Sequence, residues 1–144
     1  MGRYGFLAFA LVFASAMVWP KPSGAEGAVA IGLPANVAKS GVALGYSTKH
    51  PTREKAEEVA LEQCRTAPAS KAVQSLCRIV QTFSDQCVAF SIDPATGTPG
   101  YGWAVADDKE AASAAALQMC VEKSNPSRRK FCKVTSSTCD QPAN

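Results

Sequence analysis

Two segments of the chain repeat one pattern, and this internal duplication constrains the fold more than any other feature. TREKAEEVALEQC (52–64) aligns without gaps with DKEAASAAALQMC (108–120), and five positions are identical. In both segments small apolar residues recur at helical spacing, and each segment ends in a cysteine. The pattern predicts two amphipathic helices that pack closely on a sheet, with Thr52 and either Asp107 or Asp108 as N-caps.

The same strand patterns surround each predicted helix. Two apolar or aromatic segments joined by a turn precede it, and one more strand follows it. The chain is therefore predicted to be α+β, with two β-β-α-β halves at about 27–86 and 87–139. The halves are expected to share one mostly antiparallel sheet with both helices on one face. The predicted strands lie in GAVAIGL (27–33), SGVALGYS (40–47), CRIVQTFSDQC (77–87), CVAFSID (87–93), PGYGWAV (99–105) and CKVTSSTC (132–139).

The N-terminus has the features of a signal peptide. Gly5 to Trp19 is an uncharged apolar run of 15 residues, shorter than the roughly 20 that span a bilayer. Ser23-Gly24-Ala25 follows and suits a signal peptidase. We predict that residues 1–25 are removed before Glu26. Residues 26–144 would then be a single secreted or periplasmic domain without a transmembrane segment.

The charge of the predicted mature chain argues against nucleic-acid binding. The full sequence has 15 basic and 12 acidic residues. Arg3 and Lys21 would leave with the signal peptide, so the formal charge falls to about +1. Binding to bulk nucleic acid requires a strongly basic face.

All six cysteines fall in the predicted mature part, which indicates a disulfide framework in an exported chain. If 77–87 is a strand, its end cysteines are roughly 33 Å apart and cannot pair. A disulfide between Cys132 and Cys139 is excluded in the same way, because a strand would place these two cysteines roughly 23 Å apart. Their seven-residue separation also requires a bulge or an early strand end in one half. The predicted pairs are Cys64 with Cys77, Cys120 with Cys132, and Cys87 with Cys139 as a bridge between the halves.

Gly27 to Cys139 resembles the domain of unknown function 4189 family of small exported bacterial proteins. The resemblance rests on GAVAI, GYS before a helix ending ALEQC, CRIVQTFSDQCVAF, GYGWA, a second helix ending ALQMC, and CKVTSSTC. The order of the six cysteines is its most specific part. The resemblance implies an exported domain without an established common activity, and it supplies no catalytic residues.

The sequence contains no motif typical of a metal or redox site. There is no CxxC pair, and His50 is the single histidine. Zinc ribbons and thiol redox sites need closely spaced cysteines. We therefore expect no metal and no cofactor. An exported hydrolase of unfamiliar type is the alternative function, and it would require His50, Asp85 and Asp93 to converge in one cleft.

Two surface features are candidates for partner binding. SNPSRRKFCK (124–133) forms a basic patch that could meet an acidic partner or an anionic membrane surface, or could serve solubility alone. Three aromatic residues on the central strands could stack on a sugar or a peptide, or could fill the sheet's own cross-strand contacts. The candidate residues are Arg128, Arg129, Lys130, Lys133, Tyr46, Tyr101 and Trp103.

The function that these features favour is a non-enzymatic, exported, disulfide-bonded interaction module. An inhibitor, an immunity factor, an effector or an envelope-associated binder would each fit. The expected partner is an unknown protein or a component of the envelope, because a rigid stapled scaffold with loops suits binding.

Overall fold

The computed structural model describes residues 24–140, which form six strands, four helices and one 3₁₀ helix. The predicted signal peptide, except for its last two residues Gly24 and Ala25, lies outside the described residues. No helix of the described part is long and apolar enough to cross a bilayer. The elements are β1 (Glu26–Gly32), α1 (Val37–Ser40), β2 (Ala43–His50), α2 (Arg53–Thr66), α3 (Lys71–Gln74), β3 (Cys77–Ser84), β4 (Cys87–Ile92), β5 (Tyr101–Ala106), α4 (Lys109–Lys123), the 3₁₀ helix (Pro126–Phe131) and β6 (Lys133–Cys139).

The α+β class and the antiparallel pairing are confirmed, but the strands form two sheets. One sheet has the order β2-β1-β3 and the other has the order β5-β4-β6. Each half therefore contributes a hairpin, a long helix and a returning strand that pairs with the first strand of the hairpin. The common origin of the halves by duplication stays a prediction.

The two sheets stack face to face, so the single shared sheet is corrected to a sandwich. On β1, Val29 and Ile31 face Val88 and Phe90 of β4, while Ala28 and Ala30 face α2. A single sheet with both helices on one face would leave the first set in water. Apolar residues on both faces of the central strands require a cover on each side. The helices consequently lie on opposite outer faces, in four layers.

The predicted stripes of small residues form both helix–sheet contacts. A Cβ atom at Gly45 would overlap the carbonyl oxygen of Ala60, and one at Gly102 would overlap that of Ala116. Each helix backbone therefore lies directly against a strand glycine. Thr52 caps α2 and Asp108 caps α4. The buried residues of the stripes are Ala56, Ala60 and Cys64 on α2 and Ala112, Ala116 and Cys120 on α4.

The three predicted disulfides are all present. Two of them tie the last turn of a long helix to the beginning of the strand that follows. The third, Cys87–Cys139, joins neighbouring strands β4 and β6 with Cα atoms 3.9 Å apart. It is therefore not a bridge between the halves, as the sequence had suggested.

The prediction of a disulfide bridge between the halves is wrong because residues 77–87 are not one strand. β3 ends at Ser84, and Asp85 takes a left-handed conformation with φ 56°. The chain turns there and enters the other sheet at Cys87. Bulges occur in both halves rather than in one, because the register of β3 shifts between Ile79 and Gln81 and that of β6 between Val134 and Ser136.

Candidate functional site

The β1–β2 and β4–β5 hairpins place their loops at the same end of the sandwich. The strand pair nearest the first loop is Gly32 with Ala43, and the strand pair nearest the second loop is Ile92 with Tyr101. Both long helices also end here. We call this region the hairpin end and define it as residues 33–42, 65–78, 93–100 and 121–133. The opposite region, the turn end, comprises residues 24–28, 49–58, 84–88, 106–112 and 138–140.

An open groove of about 340 Å³ lies between the two hairpin loops. Val37 and Val42 line one side, and Ile92 and Tyr101 line the other. A second depression of about 310 Å³ shares Val37 and Tyr101 and extends to Lys123. Together they form an apolar floor with cationic side chains at the rim.

A buried ion pair fixes the second hairpin loop. Arg128 donates from Nε to Asp93 Oδ2 at 2.8 Å and from Nη2 to Oδ1 at 2.6 Å. The Asp93 side chain is fully buried, and the Arg128 side chain is 30% exposed. The Arg128 guanidinium holds the pKa of Asp93 below its usual range, because its hydrogen bonds favour the carboxylate. Arg128 therefore anchors the loop and is not a freely available surface cation.

The remaining cations of the predicted basic patch are exposed. Arg129, Lys130 and Lys133 lie on or next to the 3₁₀ helix, at the hairpin end. Lys123 Nζ lies 3.6 Å from the ring centroid of Tyr101, which is a cation–π contact at the groove. The structure thus brings Tyr101 and the basic patch to one end of the molecule.

The charges of the described residues are divided between the two ends. The hairpin end carries nine cationic side chains and two acidic ones, whereas the turn end carries four cationic and nine acidic ones. The hairpin-end cations are Lys39, Arg65, Lys71, Arg78, Lys123, Arg128, Arg129, Lys130 and Lys133, and its acids are Asp93 and Glu122.

Tyr46 and Trp103 lie away from the groove. Both pack between the two sheets, beside the cluster that contains Phe90. The Tyr46 ring is 5.0 Å from that of Phe90, and its hydroxyl lies 3.0 Å from Ser136 Oγ in the other sheet. These two aromatic side chains therefore join the two sheets, whereas the sequence had offered only a ligand platform or contacts within one sheet.

The groups named for a hydrolase do not converge. Asp93 is at the hairpin end, while His50 ends β2 and Asp85 follows β3 at the turn end. The length of the sheet, about 20 Å, separates Asp93 from the other two. Residues 24–140 contain no group of three or more His, Cys, Asp or Glu residues that could hold a metal ion.

The turn end contains one unusual carboxyl group. Asp140 is 1% exposed, and its Oδ1 accepts a 2.6 Å hydrogen bond from the backbone N–H of Gln86. Its Oδ2 has no hydrogen-bond partner among residues 24–140. Burial raises the pKa of Asp140, and the nearby Asp85 carboxylate adds to the shift. This group fastens the end of β6 to the β3–β4 turn.

Comparisons with known proteins place the chain in a family. The model for the Domain of unknown function (DUF4189) matches residues 27–139. The chain belongs to the DUF4189 family. A comparison with curated proteins found no match. Among solved structures, the DUF4189 chain is similar to the NMR structure of Rv1813c from Mycobacterium tuberculosis, with 17% identity and a TM-score of 0.44. That similarity covers 96% of this chain and 95% of the other.

Some features of this DUF4189 domain's hairpin end could not be read from the sequence pattern. The Asp93–Arg128 pair joins residues 35 positions apart, and no local motif marks it. Phe131 lies within the predicted basic patch, and its side chain is 42% exposed. The cations that surround it were the available signal, because an aromatic residue within a basic run often lies at a surface.

Proposed function

We propose that this DUF4189 chain is an exported, non-catalytic interaction module that binds its partner through the hairpin end. The observation that carries the proposal is an apolar groove between two hairpin loops within a region of nine cations and two acids. Concave apolar sites with a few polar groups at the rim are typical binding sites. The three disulfides suit a protein that works outside the cytoplasm.

The rigidity of the hairpin end supports a binding role. Cys64–Cys77 and Cys120–Cys132 each fix the last turn of a long helix to the next strand at this end. The Asp93–Arg128 pair holds the loop on the groove side. A surface that is ordered before binding loses less conformational entropy when the partner arrives.

Envelope binding by charge variants tests this proposal. The oxidised protein, residues 26–144, is mixed with the envelope fraction of the exporting organism and sedimented at low and high salt. The Arg129→Glu/Lys130→Glu variant should lose binding, because it reverses two exposed cations of the hairpin end. Wild-type binding should weaken as salt rises.

The matched control is Arg53→Glu/Lys109→Glu, which makes the same charge change at the turn end. Both residues are exposed at the first position of a long helix, where an acidic side chain is favourable. The control should bind like the wild type. Equal loss in both variants would show that net charge, and not the hairpin end, governs binding, and the proposal would fail.

A further inference from the structure

The exposed apolar side chains of the described residues concentrate at the cationic end. Leu33 is 42% exposed, Leu76 is 45% exposed and Phe131 is 42% exposed, and all three lie at the hairpin end. Val134, the second residue of β6, is 38% exposed and follows the hairpin end in the sequence. Leu117 on α4 and Val80 in the middle of β3 are the two exposed large apolar residues elsewhere in residues 24–140.

We call the side chains of Leu33, Leu76 and Phe131 the tips. Two of the tips, Leu76 and Phe131, occupy equivalent positions in the two halves. Leu76 immediately precedes Cys77, and Phe131 immediately precedes Cys132. Both cysteines are bonded to the last turn of a long helix. Each tip is therefore attached to a covalently fixed backbone, and each is followed two residues later by a cation, Arg78 or Lys133.

The tips do not line the groove. Leu33, Leu76 and Phe131 are absent from the walls of both depressions between the hairpin loops. A ligand confined to the groove would therefore leave them in water. A broad apolar phase that meets the whole end of the molecule would cover them together.

The charge around the tips identifies the surface that would supply this phase. Arg128 lies 4.1 Å and Lys130 5.2 Å from the ring centroid of Phe131. The cations are not explained by helix dipoles alone, because only Arg65 and Lys123 lie in the last turns of the long helices. Aromatic and aliphatic side chains among Lys and Arg are typical of proteins that bind at the interface of anionic bilayers.

We propose that the hairpin end binds an anionic lipid bilayer, with Leu33, Leu76 and Phe131 entering the interface and the surrounding cations contacting the headgroups. This inference rests on the proposed function and names the partner. The turn end, with nine acids and four cations, faces away from the membrane. The opposite charges at the two ends orient the molecule during its approach.

Vesicle flotation tests the inference with purified residues 26–144. The probes are phosphatidylcholine vesicles and phosphatidylcholine vesicles that contain phosphatidylglycerol. The wild type should float with the anionic vesicles only, and added salt should release it. Arg129→Gln/Lys130→Gln should lower the apparent affinity about 30-fold. Phe131→Ser should lower it about tenfold, because an apolar contact is lost.

Matched controls change the same chemistry elsewhere. Arg53→Gln/Lys109→Gln removes two turn-end cations, and Leu117→Ser removes an exposed apolar residue from the middle of α4. Both should stay within about twofold of the wild type, since surface changes remote from an interface do little to binding. Near-ultraviolet circular dichroism confirms that each variant is folded.

The outcomes separate this inference from the proposed function. Vesicle binding that is equal in the hairpin-end and control variants would overturn the inference. So would the absence of vesicle binding while envelope binding still depends on Arg129 and Lys130. In that case the proposed function stands, and poly-glutamate competition in the envelope assay would indicate an acidic protein as the partner.

Discussion

At the scale of single residues, two buried carboxyl groups have pKa values shifted in opposite directions. The hydrogen bonds from Arg128 lower the pKa of Asp93, and burial raises the pKa of Asp140. The reason is that Asp93 has a cationic partner for both oxygens, whereas Asp140 Oδ2 has no hydrogen-bond partner in the part of the chain that the structure describes. The two groups therefore contribute to stability in different pH ranges.

We expect Asp93→Asn to destabilise the protein at pH 7. Because the pKa of Asp93 is lower in the folded than in the unfolded protein, its carboxylate stabilises the fold above the unfolded-state pKa, near 3.8. This stabilisation is lost as pH falls through the folded-state pKa. The difference in Tm between wild type and variant should therefore shrink below about pH 4. Thermal unfolding over this range measures it. A difference that does not change with pH would contradict the ionic role of Asp93.

Asp140→Asn should raise Tm at pH 7. Because the pKa of Asp140 is higher in the folded than in the unfolded protein, its contribution to stability is complete below the unfolded-state pKa, near 3.8. This contribution is lost as pH rises through the folded-state pKa. The gain of the variant should vanish at about pH 3. Asp140→Ala is the control, because it also removes the acceptor for Gln86 N–H and should destabilise at every pH. A lower Tm for Asp140→Asn at pH 7 would refute the argument.

At the scale of elements, the closest approach of a helix to its sheet is made at a glycine. A Cβ at Gly45 or Gly102 would overlap backbone atoms of α2 or α4, which cannot move aside as a flexible side chain can. Gly45→Ala and Gly102→Ala should each lower the free energy of unfolding by about 2–3 kcal/mol. Urea unfolding measures this change.

Gly97→Ala is the comparison for these two variants. Gly97 has φ 76° and nothing within 4 Å of a Cβ position, so its cost is conformational alone, about 1 kcal/mol. If Gly97→Ala destabilises as much as Gly45→Ala, close packing of helix on strand is not what the strand glycines serve.

The elements could be predicted from local sequence, because helix caps and periodicity are local. Thr52 and the small-residue stripes identified the long helices correctly. The layering could not be predicted in the same way. The AVAI run of β1 and the VAF run of β4 are apolar at successive positions, which signals burial on both faces. That signal does not say whether the second cover is a helix or another sheet.

At the scale of the whole molecule, the candidate site was predictable only in part. The basic patch and Tyr101 were identified from the sequence, and they do lie at one end. The ion pair that removes Arg128 from the free cations joins two distant loops, so no local pattern could show it. The division of charge between the ends follows from the strand order and from the turn at Asp85, after which the chain enters the second sheet, stacked face to face on the first.

The sandwich also predicts how the halves are held together. Cys64–Cys77 lies before the turn at Asp85, and the other two disulfides lie after it. Beyond the chain itself, the described halves are joined by the apolar faces of the two sheets, with Val29, Phe83 and Phe90 among the buried residues. A loop insertion at a surface turn costs little, so a protease site can be placed between Asp85 and Gln86.

Cleavage at that inserted site should give two fragments on a non-reducing denaturing gel, because no disulfide crosses the turn. Under native conditions the cut protein should still elute as one species of the uncut size, since separation would expose both inner faces to water. The uncut protein with the same insertion is the control for folding. A single non-reducing band that divides only after reduction would reveal a disulfide between the halves. Native separation of the fragments would show that the apolar interface does not hold the sheets together without the chain connection.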